Sequence, residues 1–222
     1  MHPPIANIRV TDGNLRPKQQ PTPISLRRST NYLVQRLLKH PERCRFHSLA
    51  ELYFSALLEA QVDVTYFCPQ PYEMWIQGKR YIPDFYFVKQ GIGHVVEIRA
   101  GGKFSKEKRQ LLETYFRYHQ MSFEVITNES ILDREIEAQN WLFIVRNLLG
   151  GEDIDTETDE YRLIERLQVE GELELDDIVD PGDRQTTQYA ELAAYRLLYR
   201  QVVETNLETD FLSYGSVLRL CI

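Results

Sequence analysis

Four residues in the first half of the chain have types and spacings that could do chemistry together: Glu51 in the run SLAE, Asp84 in YIPDF, and Glu97 and Arg99 in VEIR. Taken singly, each has an ordinary explanation as a surface helix glutamate, a Pro-Asp turn or a wet strand face. Their surroundings change that. Asp84 stands between Pro83 and Phe85 in an aromatic run (Tyr81, Ile82, Phe85, Tyr86, Phe87) suited to a buried strand, where an unpaired carboxylate is expensive. Glu97 and Arg99 follow after room for a strand, a turn at Gly91 and Gly93, and a return strand. Residues i and i+2 of a strand share a face, so Glu97 and Arg99 project side by side, and an antiparallel partner could bring Asp84 next to them. Clustered carboxylates with a nearby cation suit metal-assisted phosphodiester chemistry. Carboxylate oxygens bind Mg²⁺, which keeps several waters and bridges phosphate oxygens. Such an ion lowers the pKa of a water or stabilises a leaving oxygen, while a fixed cation steadies charge on the phosphate. Just beyond, GGKFSKEKR sets Lys103, Lys106, Lys108 and Arg109 against Glu107 alone at a helix start. That layout fits a phosphate-backbone contact, with a solvated helix face as the alternative.

The elements that position these residues are legible in outline. HSLAELYFSALLEAQ predicts a helix, with Ser48 as N-cap and Glu51 at capping-box spacing and apolar residues at 49, 52, 53, 56 and 57 on one face. VDVTYFCPQPYEMWIQGKRYIPDFYFV reads as short β-rich runs broken by Pro69, Pro71 and Gly78, and GHVVEIRA as a further strand. Lys103 to His119 is amphipathic and helical, SFEVIT is a short strand, and Ser130 to Leu149 is a helix ended by Gly150 and Gly151. TNYLVQRLLKH fits a strand or a short helix equally. GEDIDTETDE reads as a linker. Beyond it come a helix around YRLIERLQVEG, a short element LELDDIV, a helix QYAELAAYRLLYRQ, and β-like VVETNL and FLSYGSVLRL. Helices followed by a hairpin is the order of a winged-helix module. The domain reading is a basic flexible arm at 1–28, a catalytic body at 29–150 and a C-terminal domain at 151–222.

With 222 residues and 43% apolar content, the chain can bury a core without disulfides. It has no apolar run long enough to span a membrane, and its opening MHPPIANIRV lacks the apolar core of a signal peptide. Three cysteines with no CxxC pair argue against a disulfide framework or zinc knuckle and make a reducing cytoplasm the default expectation. No nucleotide-binding glycine loop occurs, nor any Ser or Cys nucleophile motif. His47 and His94 read as ordinary residues at element boundaries. The net charge of -7 conceals an asymmetry. Residues 1–45 carry +7, residues 46–147 carry -2 and residues 148–222 carry -12. A basic arm suits nucleic acid, and so acidic an end suits proteins better than a duplex.

The acid-bearing helix, the PD pair, and the acid-x-basic strand about a dozen residues later resemble restriction-endonuclease-like nucleases. The ordered pieces SLAE, LLEAQVDVTYFCPQP with Gln70-Pro71, GKRYIPDF, VVEIR, FEVITNESI and Asn140 in EAQNW resemble more closely the TnsA endonuclease family of heteromeric, Tn-seven-type transposases. The similarity covers about residues 46–147. It implies an α/β fold, a restriction-endonuclease-like mixed sheet flanked by helices, followed by a small helical, winged-helix-like domain. It implies a bacterial cytoplasmic Mg²⁺-dependent endodeoxyribonuclease, with Mn²⁺ as a substitute, that nicks the 5′ strand at transposon ends during DNA transposition. Glu51, Asp84 and Glu97 would be catalytic metal ligands, and Arg99 would stand where the family usually has Lys. An arginine cannot share a proton with an attacking water but still stabilises charge. Lys103 could swing in to replace the missing amine. Arg27, Arg28, Arg43, Arg45, Lys103, Lys106, Lys108 and Arg109 would contact double-stranded DNA. The implied partners are a DDE-family transposase and, through the C-terminal domain, an AAA+ ATPase regulator, with no membrane. SYGSVLRLCI would be either a partner-facing tail or a final core strand. The competing expectation is a catalytically weakened assembly subunit bridging transposase, regulator and DNA; a stand-alone restriction or repair nuclease is a third.

Overall fold

The computed structural model describes residues 8–24, 31–180 and 182–221. These form a mixed α/β structure with several sheets and six helices, divided into two compact units that meet in sequence between Asp133 and Arg134.

In the first unit, β1 (Ile8–Val10), β5 (Met74–Ile76) and β6 (Lys79–Tyr81) make a small antiparallel sheet, and β2 (Leu33–Gln35) pairs with β3 (Cys44–Phe46). The segment that reads equally as strand or helix is thus a strand. The central sheet has the order β4 (Val64–Pro69), β7 (Phe85–Lys89), β8 (Ile92–Arg99), β9 (Met121–Thr127). Its first three strands are antiparallel, and β9 runs parallel to β8. A parallel return needs a crossover, which helix α2 (Lys106–Tyr118) supplies; α1 (Leu49–Glu59) precedes β4.

Strand alternation gives the sheet two apolar faces. Phe85 lies against Phe46 and, at 5.0 Å and edge-on, against Phe54 of α1. Val95 and Phe123 belong instead to a core with Leu112 and Phe116 of α2 and Tyr72, Met74 and Tyr81. The two hairpins close through Gln77-Gly78 and Gln90-Gly91. All four residues have positive φ, as a two-residue primed turn demands. The expected Gly93 turn is corrected: Gly93 lies within β8, where a Cβ would come within 2.9 Å of the Tyr86 ring. Helix α2 begins at Lys106, after a 3-10 turn at Ala100–Gly102 and an N-cap at Ser105, so Lys103 stands outside it.

The single helix expected over 130–149 is two: α3 (Asn128–Leu132), capped by Thr127, and α4 (Glu135–Gly150). Helix α4 belongs to the second unit, with α5 (Glu157–Glu170), β10 (Glu172–Glu174), α6 (Arg184–Tyr199), β11 (Val203–Glu204) and β12 (Val217–Leu220). Part of the acidic linker is helical, because Glu157, Asp159 and Glu160 favour the positive end of α5. LELDDIV is a strand end and a 3-10 turn, and β10 joins β12 and β11 in a three-stranded sheet. β12 is the middle strand and Leu218 is fully buried, so the chain's last described element is a core strand; Ile222 lies outside the described residues.

Asn140 of α4 ties this unit together. Its amide nitrogen donates to the Leu207 and Asp210 carbonyls, both at 2.8 Å, and its oxygen accepts from Leu212 N at 2.9 Å. Asn140→Leu leaves three backbone groups without partners, each costing ~1–3 kcal/mol where buried. Chemical denaturation should register a loss of several kcal/mol, against a near-neutral exposed control such as Arg146→Gln.

Candidate functional site

The geometry begins with Asp84, the residue before β7. Its backbone N–H donates to the Val96 carbonyl at 3.1 Å, and its carboxylate Oδ2 accepts from Ile98 N at 2.7 Å. The Phe85–Val96 register thus sets Asp84 beside the end of β8, as the antiparallel expectation required. Glu97 lies at 0% exposure. Tyr81 O–H donates to Glu97 Oε2 at 2.5 Å. Glu97 Oε1 has no hydrogen-bond donor in proper geometry and faces the Arg99 guanidinium as an ion pair. Arg99 also stands 4.0 Å from Asp84 Oδ2, so one cation spans both acids while remaining 42% exposed.

Lys108 completes this group from α2. Its Nζ lies 3.7 Å above the Tyr81 ring and 4.9 Å from that of Phe104. Its charge favours the ionised forms of both Glu97 and Asp84. Burial and the neighbouring Arg99 lower its own pKa, with Glu97 and Asp84 opposing them. The amine near the acids therefore comes from Lys108; Lys103 is exposed. Sequence spacing places Lys108 in a surface cation run. Its signal was helical phase, since Lys108 lies four residues before the buried Leu112.

Glu51 is held differently. Its Oε2 accepts from His47 N at 3.0 Å and Gln70 Nε2 at 2.8 Å, and its Oε1 accepts from Ser48 Oγ at 3.2 Å. Ser48 Oγ in turn accepts from Glu51 N at 3.1 Å, so the expected cap forms. Gln70 is the second residue that sequence reasoning left without a role. It sits just after β4 with φ of 42°, and its N–H donates to the Asp84 carbonyl at 2.8 Å. A strained backbone here lets one residue link Asp84 and Glu51. Gln19 Nε2 donates to Gln70 Oε1 at 2.8 Å, and Thr22 hydroxyl meets His47 Nε2 at 2.9 Å. Of the described residues in the segment read as a flexible arm, Ile8–Val10 form β1, and Gln19 and Thr22 bond to the partners of Glu51.

Among the described residues, no group of three or more His, Cys, Asp or Glu is arranged to hold a metal. Asp84 and Glu97 come together with Arg99; Glu51, on the helix against the other sheet face, is near enough to feel the charge of Asp84 without joining them. The pair still fits a hard divalent cation. Mg²⁺ is commonly held by one or two carboxylates with waters and phosphate oxygens, and Glu97 presents a buried oxygen with no hydrogen bond.

The outer cations behave variously. Arg43, Lys103 and Lys106 are exposed, and Arg45 is half-buried in β3. Arg109 is exposed and pairs with Glu113 at 2.8 Å. Arg27 and Arg28 lie outside the described residues. His94 stacks on Phe87 at 4.8 Å and meets Ser122 Oγ at 2.7 Å, a packing role. Cys44 and Cys68 are buried and free. No described helix is long and apolar enough to cross a membrane. No family model matches the chain, and neither does any curated protein at a significant level.

Burial raises the pKa of all three carboxyls, with Asp84 adding repulsion at Glu51 and Glu97. Glu51 rises from 4.5 to about 7. Because its folded value exceeds the unfolded one, its stabilising contribution is complete below pH 4.5 and is lost as pH rises through about 7. Glu51→Gln should therefore flatten the decline in unfolding free energy between pH 5 and pH 8, by up to about 3 kcal/mol. Comparing the two proteins cancels the opposing trend from His40, His47 and His94, whose charged forms burial disfavours. Equal pH slopes in denaturant titrations would remove Glu51 as the source.

Proposed function

We propose that this chain is a metal-dependent DNA endonuclease subunit of a transposase, which nicks the 5′ strand at transposon ends. The observation that carries the reading is the buried Asp84–Glu97 pair with Arg99 across it and one Glu97 oxygen lacking a hydrogen bond. Two carboxylates are seldom buried together without a cation to neutralise them. The mixed four-stranded sheet between α1 and α2 supports a restriction-endonuclease-like body. The three-stranded sheet, with β10 before α6 and β11 and β12 after it, supports a winged-helix-like C-terminal module.

In this reading Asp84 and Glu97 hold Mg²⁺, oriented by Ile98 N–H and Tyr81 O–H. Bound there, the ion supplies Lewis acidity toward the scissile phosphate and lowers the pKa of a water. Arg99 leaves Glu97 for the phosphate, where its planar fork suits two oxygens. Lys108 holds a second positive charge on the same side. Glu51, raised to about 7 and outside the Asp84–Glu97 pair, can hold a proton near neutrality without giving up a metal ligand.

The acidic second unit engages proteins, namely a DDE transposase and an AAA+ regulator. The arginines of α6 and its C-cap Arg200 are occupied internally, Arg184 by an ion pair with Glu191. Arg196 donates to Thr156 Oγ1 at 2.5 Å and the Gly151 carbonyl at 3.0 Å, and Arg200 pairs with Glu160. A broad duplex contact would need those cations for phosphates.

The second reading, an assembly subunit without cutting activity, is favoured by the same Arg99 ion pair, which already neutralises Glu97. Two measurements separate the readings. In a transposase complex on end-bearing DNA, Asp84→Ala and Glu97→Ala should abolish 5′ nicking and spare 3′ cleavage by the partner. Lys108→Ala should lower 5′ nicking about 10²-fold. Retained 5′ cutting in both acid variants would sink the nuclease. In a thermal-shift titration of the full chain, Mg²⁺ should raise the melting temperature at pH 8 and do so less at pH 5, where the acids are protonated. No shift at pH 8 favours the assembly subunit.

A further inference from the structure

A cavity of about 620 Å³ opens between the β5–β6 hairpin and the first half of α2. Lys79 and Arg80 of β6 line one wall, and Lys108 and Gln110 of α2 line the other. Glu107 is its one acidic lining residue, so the cleft is cationic. Lys79 is exposed and makes no ion pair among the described residues. Arg80 pairs with Glu73 across an exposed contact, 44% and 25% accessible, which contributes little and opens readily.

What gives the cleft meaning is its inner end. Tyr81 and Lys108 belong to its lining and also to the acid site, through the Tyr81–Glu97 hydrogen bond and the Lys108 charge. A polyanion lying along the cleft would thus arrive at Asp84 and Glu97. We propose that the cleft holds the phosphodiester backbone of the DNA strand being cut, with Lys79 and Arg80 on successive phosphates and Lys108 nearest the scissile one. This rests on the nuclease reading and adds the path of its substrate. Neither Lys79 nor Arg80 lies in the cation run of α2, so the cleft adds two contacts to those that spacing alone suggests.

Each phosphate contact contributes about 0.9 to the slope of log affinity against log salt concentration. The test uses the full chain, a fluorescently labelled transposon-end duplex and a chelator, so that binding is read without cutting. Lys79→Ala/Arg80→Ala should reduce the salt slope by about 1.8. Gln110→Glu, an exposed change on the opposite wall that leaves folding alone, should weaken binding several-fold. An unchanged slope in the double variant together with unchanged affinity in Gln110→Glu overturns the proposal. So does binding of a poly-glutamate peptide that the double variant abolishes while duplex binding persists. A reduced slope in a chain that never cuts DNA would keep the cleft and reject the nuclease. Acid-dependent cutting with an unchanged slope would do the reverse.

Discussion

Two carboxylates held together below the surface are the constraint around which the first unit is arranged. An isolated buried carboxylate costs several kcal/mol, and a second beside it adds repulsion. Asp84 and Glu97 meet that cost with a backbone N–H, a tyrosine O–H and a guanidinium spanning both. Compensation is incomplete, since both carboxyls still titrate above their ordinary range. A fold that needed only stability would place apolar side chains at these positions. Retaining acids at the junction of β7 and β8, where the sheet could have continued its aromatic packing, sets a standing demand for positive charge.

That demand explains several oddities nearby. The chain bends through a left-handed glutamine, Gln70, whose amide reaches Glu51 and whose backbone N–H reaches Asp84. Gln19 fixes that amide in turn. Glu51 consequently has three donors and is oriented by α1, on the sheet face that packs Phe85, while Glu97 shares a face with Val95 toward α2. The acids are divided by the pleat itself. Glu51 is linked to Asp84 alone, through charge repulsion and through Gln70.

How much of this could be read beforehand follows from the range of the forces involved. Local rules located α1 and its Ser48 cap, the β7–β8 hairpin, and the adjacency of Asp84, Glu97 and Arg99, because capping, alternation and turn spacing act within about fifteen residues. Gln77-Gly78 and Gln90-Gly91 carry turn chemistry, yet spacing also points to Gly93, where the glycine answers a cross-strand contact with Tyr86. The inward turn of Lys108 depends on Tyr81, and the tethering of the arm depends on Gln70 and His47. Such pairings lie decades of residues apart and leave no periodic trace. The break between α3 and α4 is equally hidden, and the asparagine that anchors α4 bonds to a loop some seventy residues later.

Arg99 and Lys108 divide one task between them. A single lysine on the strand would have to neutralise Glu97 and reach Asp84 at the same time. Here the guanidinium, with several donors in a rigid fork, spans both acids from the strand. The ammonium approaches from the helix over an aromatic ring, where desolvation and cation–π attraction hold it without a direct carboxylate bond. Removing either leaves the other in place, so the acids are never wholly without a counter-charge. The arginine on the strand is therefore no sign of a decayed site by itself. The cation expected two residues from Glu97 is matched by another that reaches the same carboxylate from a different element.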